Sequence, residues 1–152
     1  PRSVVRSATV SVGTSFEPVL TIRPKDLFGG QANRSLVVPT VSNLLVTSAD
    51  EVVWGLILNG TLTGDSFSDV DAESVVEFDE TATAIAGGLL IESGFAASTN
   101  QASAPVNPDV DLARLVLSRN IDNSEGDELT LVARALSGIA TVIGSMTWRE
   151  IY

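Results

Sequence analysis

The densest run of acidic residues lies in segment 64–80, which reads GDSFSDVDAESVVEFDE. Four of its carboxylates stand where calcium ligands stand in an EF-hand loop, the first three at alternate positions: Asp69, Asp71, Glu73 and Glu80. That loop needs a glycine at its sixth position for a sharp turn, but this chain has Ser74. The segment Asp69–Glu80 therefore predicts either an ion held between loops or a solvated acidic loop leading into a strand. We favour the solvated loop and assign no metal ligand and no cofactor.

A second acidic cluster occupies the turn-rich segment 121–128. Its carboxylates are Asp122, Glu125, Asp127 and Glu128. If both acidic loops gathered at one end of the domain, two carboxylates would have the arrangement of a glycosidase acid and base. Such an enzyme also needs aromatic side chains to hold sugar rings, and the chain has only two tryptophans and one tyrosine. We therefore expect solvated carboxylates and predict no catalytic residue.

Two residue types that carry much of enzyme chemistry are missing from the chain, which has no histidine and no cysteine. Their absence removes the commonest general base, the Ser-His-Asp relay, thiolate chemistry and any disulfide. Only carboxylates and the single lysine, Lys25, remain for proton transfer. The composition predicts that the protein is not an enzyme.

The charge balance limits the partners. A net charge of −10 would repel the phosphates of nucleic acids and anionic lipid head groups, and the arginines form no cluster. The longest apolar region, 84–95, is interrupted by Gly87, Gly88 and Glu92, so it falls short of the roughly 18 apolar residues of a membrane span. We expect neither a nucleic acid nor a membrane partner. Since 44% of the residues are hydrophobic and 18% charged, we expect part of the surface to be buried against other subunits.

Short runs rich in valine, isoleucine, leucine and threonine alternate with turn residues along the whole chain, which is typical of many short strands. The predicted strands are 4–12, 18–23, 36–47, 51–59, 73–79, 82–86, 89–97, 111–119, 128–136 and 140–151. Segment 111–119 also fits a short helix, although we prefer a strand, and 99–109 is predicted to be a surface loop. The pattern indicates one all-β domain over 1–152, an antiparallel β-sandwich that is jelly-roll-like, with a possible short N-terminal arm at 1–15.

Strand alternation predicts which large side chains enter the core. In 51–59 one face would carry Val52, Trp54, Leu56 and Leu58, and four large side chains on one face are typical of a core. In the last strand, Trp148 would share a face with Met146; we favour the core for it, and the alternative is an edge strand from which the ring reaches a neighbouring subunit. Among the turns, Gly126 suits a residue with positive φ, and Ser137–Gly138 suits a hairpin turn.

Five blocks of sequence together resemble a β module of known proteins. In chain order the blocks are FEPVLTIR (16–23), VVPTVSNLLVTSADEVVWGLILNGTLTGDSF (37–67), SVVEFDETATAIAGGLLIESGFA (74–96), LTLVARALSG (129–138) and SMTWREIY (145–152). This order of strand and turn phrases is similar to a module in virion structural proteins of tailed bacteriophages, among them capsid decoration or cement proteins, head fibres and tail-associated proteins. Within it, LNGTLTGDSF (58–67) resembles a strand-end turn, which favours a role in the scaffold over a ligand loop.

The resemblance implies a function that composition does not show. It implies a non-enzymatic virion protein, assembled in the cytoplasm of a host bacterium, that decorates and stabilises a phage capsid. Its implied partners are copies of itself, as a homotrimer, and the major capsid protein or another virion protein. The alternative is a receptor- or carbohydrate-binding module of a phage fibre or tail, which would need exposed aromatic side chains near the loops.

Overall fold

The computed structural model describes residues 2–48, 50–97 and 115–152, and their regular secondary structure consists of β-strands alone. In chain order the strands are β1 (Arg2–Val12), β2 (Glu17–Pro24), β3 (Leu27–Phe28), β4 (Gln31–Ala32), β5 (Leu36–Val46), β6 (Glu51–Leu58), β7 (Thr61–Thr63), β8 (Ser68–Asp69), β9 (Val76–Asp79), β10 (Ala84–Ala86), β11 (Leu89–Ala97), β12 (Leu129–Ala135) and β13 (Ala140–Ile151). Every pair of neighbouring strands in these ranges is antiparallel. The predicted all-β antiparallel fold is confirmed.

Two of the sheets form the sandwich. One has three strands in the order β1-β13-β5, and the other has six in the order β11-β6-β12-β2-β9-β8. A single cluster of buried apolar side chains joins them, with Leu44, Met146 and Trp148 from the first sheet and Leu20 and Leu131 from the second. Burying an apolar side chain of this size contributes about 1.5–3 kcal/mol. The cluster holds the two sheets face to face, while jelly-roll connectivity stays a prediction.

β13 follows the alternation expected of a half-buried strand, whereas β6 is buried on both faces along most of its length. In β13, Met146 and Trp148 are buried, Thr147 is half-buried and Arg149 is exposed. In β6, Trp54 faces the core as predicted. Alternation along β-branched and aromatic runs therefore placed both tryptophans correctly.

A third layer covers the outer face of the six-stranded sheet. β7 pairs with β10, and Ile85 of β10 packs so closely on Gly60 that a Cβ there would lie 2.6 Å from Ile85 Cδ1. At the centre of that outer face, Thr21 and Thr130 are buried and share a hydrogen bond of 2.9 Å between their hydroxyl oxygens. The six-stranded sheet is thus buried on both faces at its centre.

The predicted strand 111–119 is wrong in its described part, and so is the alternative helix. Residues 115–119 form neither element. Leu117 makes one isolated bridge to Val37, and Arg119 makes another to Gly126. Between these two bridges the backbone N–H of Ser118 donates to Asp127 Oδ2 at 3.1 Å and not to a strand partner. Residues 111–114 and the predicted loop 99–109 lie outside the described residues.

Two further predictions need correction. The strand expected at 73–79 begins only at β9, because residues 71–74 form a turn in which Asp71 Oδ1 accepts from the backbone N–H of Glu73 at 2.8 Å. Gly126 does not have positive φ, and Asn123 takes that conformation in the same turn, with φ 61°. Asparagine tolerates the left-handed region because its short side chain bonds locally. Gly138 does have positive φ, 66°, as the hairpin turn requires.

Several strands went unrecognised in the sequence because they are two or three residues long: β3, β4, β7 and β8. The strand predicted at 4–12 corresponds to β1, which pairs with β13 between Arg2 and Val12. The N-terminal arm at 1–15 stays a prediction. None of the described residues belongs to a helix long and apolar enough to cross a membrane.

Candidate functional site

The first acidic segment does not gather its carboxylates around one point. Asp69 pairs with Lys25, whose Nζ lies 3.2 Å from Asp69 Oδ2 and also donates to the backbone oxygen of Asp71 at 3.2 Å. Lys25 is buried, so this pair fastens the acidic loop to the end of β2. Among residues 2–48, 50–97 and 115–152, no group of three or more carboxylates is placed to hold a metal ion.

Asp79, at the end of β9, accepts several hydrogen bonds that hold the loop beginning with LNGTLTGDSF (58–67) in place. It is buried, and its Oδ1 accepts from the backbone N–H groups of Ser66 at 2.9 Å and Thr81 at 3.0 Å. Its Oδ2 accepts from the backbone N–H of Ala82 at 3.0 Å. One carboxylate thereby ties the loop after β7 to the loop before β10. These hydrogen bonds give the segment LNGTLTGDSF (58–67) a structural role.

Part of both acidic segments does meet, in a polar groove of about 1040 Å³ on the outer side of the six-stranded sheet. Its walls include Asp65 and Glu77 from the first segment and Glu125, Asp127 and Glu128 from the second. Asp69 and Asp71 do not line it. The sequence-based idea that the two segments share a surface is therefore right for these five carboxylates and wrong for the residues first proposed as ligands.

Arg23 occupies the floor of the groove and binds two of its carboxylates. Its Nε lies 2.5 Å from Glu77 Oε1, and its Nη1 lies 2.9 Å from Glu128 Oε1. Burial alone would lower the pKa of Arg23, but the two glutamates outweigh it and raise the pKa, so the guanidinium stays charged. The guanidinium carbon also lies 3.6 Å from the centroid of the Phe67 ring. Both glutamates act as partners of one cation in this arrangement.

Two other acids of the second segment, Asp127 and Asp122, also have structural partners. Asp127 Oδ1 accepts from Asn59 Nδ2 at 3.1 Å, and the backbone N–H of Glu128 donates to Asn59 Oδ1 at 2.9 Å. Asp122 accepts from the hydroxyl and the backbone N–H of Ser124, and these bonds lower the pKa of the Asp122 carboxyl. The carboxylates thus shape two turns and fix the left-handed backbone of Asn59, whose φ is 57°.

Aromatic side chains do not turn the groove into a sugar site. No aromatic residue is among the described residues that line it. Trp54 and Trp148 are only 6% and 0% exposed, which confirms the prediction that both belong to the core. Stacking on a sugar ring needs an exposed aromatic face beside the polar groups, and neither tryptophan supplies one.

Glu150 in β13 organises a network that the sequence did not reveal. Its Oε1 accepts from the buried Ser74 hydroxyl at 2.5 Å and from Trp148 Nε1 at 3.0 Å, and its Oε2 accepts from the Tyr152 hydroxyl at 2.9 Å. Burial alone would raise the pKa of the carboxyl, but these bonds outweigh it and lower the pKa. The network joins the three-stranded sheet to the segment before β9. Its only signal in the sequence is a lone acid two residues from a tryptophan.

Among strands β2 to β13, β11 exposes the most large apolar side chains. Its exposed large side chains are Leu89, Leu90, Ile91 and Phe95, and Phe95 is 77% exposed. β11 is the last strand on its side of the six-stranded sheet. Long apolar edge strands are typical sites of association with another chain.

No family model, curated protein or solved structure matches this chain. The fold and the surfaces described above define an all-β protein of the antiparallel sandwich type. Its polar groove contains the ion pairs of Arg23 with Glu77 and Glu128, and the most apolar surface described lies along one sheet edge.

Proposed function

We propose that this chain is a non-enzymatic structural protein of a virion, which decorates and stabilises the capsid of a tailed bacteriophage. Its partners in this proposal are further copies of itself, as a homotrimer, and the major capsid protein. The proposal rests on the resemblance of the five sequence blocks and on one observation in the structure. That observation is the exposed apolar surface of β11 on a chain of net charge −10.

The apolar surface supports an assembling protein because exposed patches of this kind mark association sites. A cement protein stabilises a shell by burying its surface between subunits, so it needs apolar contact area and no reacting groups. The groove carboxylates support the same proposal, since Arg23 engages Glu77 and Glu128 and Asn59 engages Asp127. Carboxylates so engaged are suited to holding loops in place.

The test is co-sedimentation of the purified chain with empty tailed-phage capsids that lack their decoration protein. We expect saturable binding and capsids that withstand a higher temperature when the chain is bound. The isolated major capsid protein, unassembled, serves as a control for lattice-specific binding. If the chain stays in the supernatant with every capsid tested, the proposal is overturned.

One observation favours the alternative, a carbohydrate- or receptor-binding module. The groove is large and lined by polar side chains, which are able to hydrogen-bond sugar hydroxyls. A glycan array probed with the labelled chain tests it. Binding that is lost in Arg23→Ala and kept in Arg149→Ala would support the module, whereas a flat array would remove it.

A further inference from the structure

The turn after β6 contains the one Asn-Gly step of the chain, Asn59–Gly60. In such a step the backbone nitrogen of the glycine can attack the side-chain amide carbon of the asparagine. A new C–N bond closes a succinimide ring, and the side-chain nitrogen leaves as ammonia. Water then opens the ring to an aspartate or to an isoaspartate, whose backbone runs through the side chain. Glycine favours this reaction because it has no side chain to hinder the nucleophile and its backbone rotates freely.

Both ends of the Asn59 side chain are bound in the folded protein. Its Nδ2 donates to Asp127 Oδ1 at 3.1 Å, and its Oδ1 accepts from the backbone N–H of Glu128 at 2.9 Å. The backbone N–H of Asn59 also donates to the backbone oxygen of Glu128 at 2.8 Å. These three bonds fasten the residue to segment 127–128, although Asn59 is exposed to solvent. The side chain is thus open to water but is not free to rotate toward Gly60.

The attacking nitrogen of Gly60 is held as well. Gly60 is buried, and a Cβ added at Gly88 would lie only 2.7 Å from the Gly60 backbone nitrogen. A Cβ on Gly60 itself would meet Ile85 Cδ1 at 2.6 Å. Ring closure needs the two reacting atoms to approach in a near-attack arrangement, so the peptide between Asn59 and Gly60 has to rotate. That rotation breaks the bonds to segment 127–128 and disturbs the packing of Gly60.

Deamidation would also change the charge of this turn. The product carries a carboxylate where Asn59 Nδ2 now donates to Asp127, so two like charges would face each other at hydrogen-bond distance. An isoaspartate in addition lengthens the backbone by one carbon at a residue in the left-handed conformation, with φ 57°. Either product therefore opposes closing of the turn.

We propose that Asn59–Gly60 is a site of spontaneous deamidation that the folded turn protects, with solvent water as the second reactant. The reaction proceeds when residues 59–60 separate from segment 127–128, and the charge that it adds keeps the two segments apart afterwards. The modification therefore records, in each molecule, that the turn has opened. The inference goes beyond the proposed function, because neither a capsid nor a second copy of the chain takes part.

The first test follows the wild type alone, folded and in urea, during warm incubation at mildly alkaline pH. Peptide mapping by mass spectrometry gives the fraction of Asn59 converted, and labelling with isoaspartyl methyltransferase identifies the isoaspartate. The folded rate should equal the unfolded rate scaled by the fraction of time for which the turn is open, so we expect conversion to be about tenfold slower or more in the folded protein. No conversion in urea, equal rates, or a faster folded rate would each overturn the inference.

The second test opens the turn by mutation. Asp127→Ala removes the acceptor of Asn59 Nδ2, and Asp122→Ala is the matched control, because the Asp122 carboxylate bonds to Ser124 in the same acidic segment. We expect folded Asp127→Ala to convert several-fold faster than the wild type and Asp122→Ala to convert at the wild-type rate, while all three proteins convert at one rate in urea.

Circular dichroism checks that each variant keeps its strands. An Asp127→Ala variant that is folded and converts at the wild-type rate would overturn the inference. If Asp127→Ala does not fold, the comparison of folded and unfolded wild type decides, since it needs no variant.

Discussion

Two acidic side chains at the ends of strands act as acceptors that hold separate segments together. Asp79 binds both loops of the outer layer, and Glu150 binds Ser74, Trp148 and Tyr152. Hydrogen bonds to a charged acceptor contribute about 1.5–3 kcal/mol each, more than neutral ones. Removing either charge should therefore loosen contacts between elements as well as the local turn.

Replacing Glu150 with glutamine should lower the free energy of unfolding at pH 7 by about 1–3 kcal/mol, because Ser74 and Trp148 lose a charged acceptor. The folded-state pKa of Glu150 is lowered. Its contribution is therefore present above the unfolded pKa, about 4.3, and is lost as the pH falls through the folded pKa. Urea unfolding at pH 7 and at an acidic pH below the folded pKa should show the wild type and the variant converging in acid.

The matched control is Glu51→Gln, since Glu51 is exposed at the start of β6. We expect its stability to match the wild type at pH 7. A Glu150→Gln variant that differs from the wild type by the same amount at both pH values would contradict the role of the charge.

A substitution at Ser42 in β5 should raise the stability of the protein, unlike the substitution at Glu150. It is 2% exposed, and its Oγ has no hydrogen-bond partner within the described part of the chain. A buried hydroxyl without a partner costs about 1–3 kcal/mol. Ser42→Ala should therefore raise the free energy of unfolding by about 1 kcal/mol, measured by urea denaturation. The control, Ser145→Ala on the half-buried face of β13, should change little, and a destabilised Ser42→Ala would reveal a partner for the hydroxyl.

At the scale of elements, β11 packs against β6 through a close contact between Gly94 and the Trp54 ring. A Cβ on Gly94 would lie 2.8 Å from Trp54 Cζ2 and Nε1, so any larger residue must displace the indole or the strand. Gly94→Ala should lower the free energy of unfolding by about 1–3 kcal/mol, as overpacking usually does. Gly13→Ala is the control, because nothing lies within 4 Å of its added Cβ. Equal stability of the two variants, measured by thermal unfolding, would contradict this packing.

The sequence was informative where burial alternates over many residues. β6 and β13 were predicted within a residue of their ends, because a run of eight residues that is continuously apolar from Val52 onward and an alternating run of twelve residues both outweigh local ambiguity. The strands of two or three residues gave no such signal, and their pairing depends on partners distant in the chain. Gly126 was assigned positive φ from its type alone, whereas hydrogen bonds to Asn123 decide the turn.

The candidate surfaces were less accessible to sequence reasoning. The groove depends on Arg23 reaching Glu77 and Glu128, which lie 54 and 105 residues away in the chain. The exposure of β11 likewise depends on its position at the end of the sheet. Composition did predict that apolar surface would be left for other subunits, but the surface itself follows from topology.

At the scale of the whole molecule, net charge opposes association while β11 favours it. Repulsion between chains of charge −10 is screened as salt rises, with a Debye length of about 30 Å at 0.01 M and about 8 Å at 0.15 M. We expect the oligomer to become more stable over that range, with several-fold tighter assembly in sedimentation velocity. Dissociation by salt would indicate that ion pairs hold the copies together.

The two tryptophans lie one in each sheet, Trp54 in β6 and Trp148 in β13. Because the chain has no others, its fluorescence contains one optical reporter for each half of the sandwich. Trp54→Phe leaves an emission that reports on the three-stranded sheet, and Trp148→Phe leaves one that reports on the six-stranded sheet. Comparison of the two melting curves would show directly whether the halves separate together or one after the other.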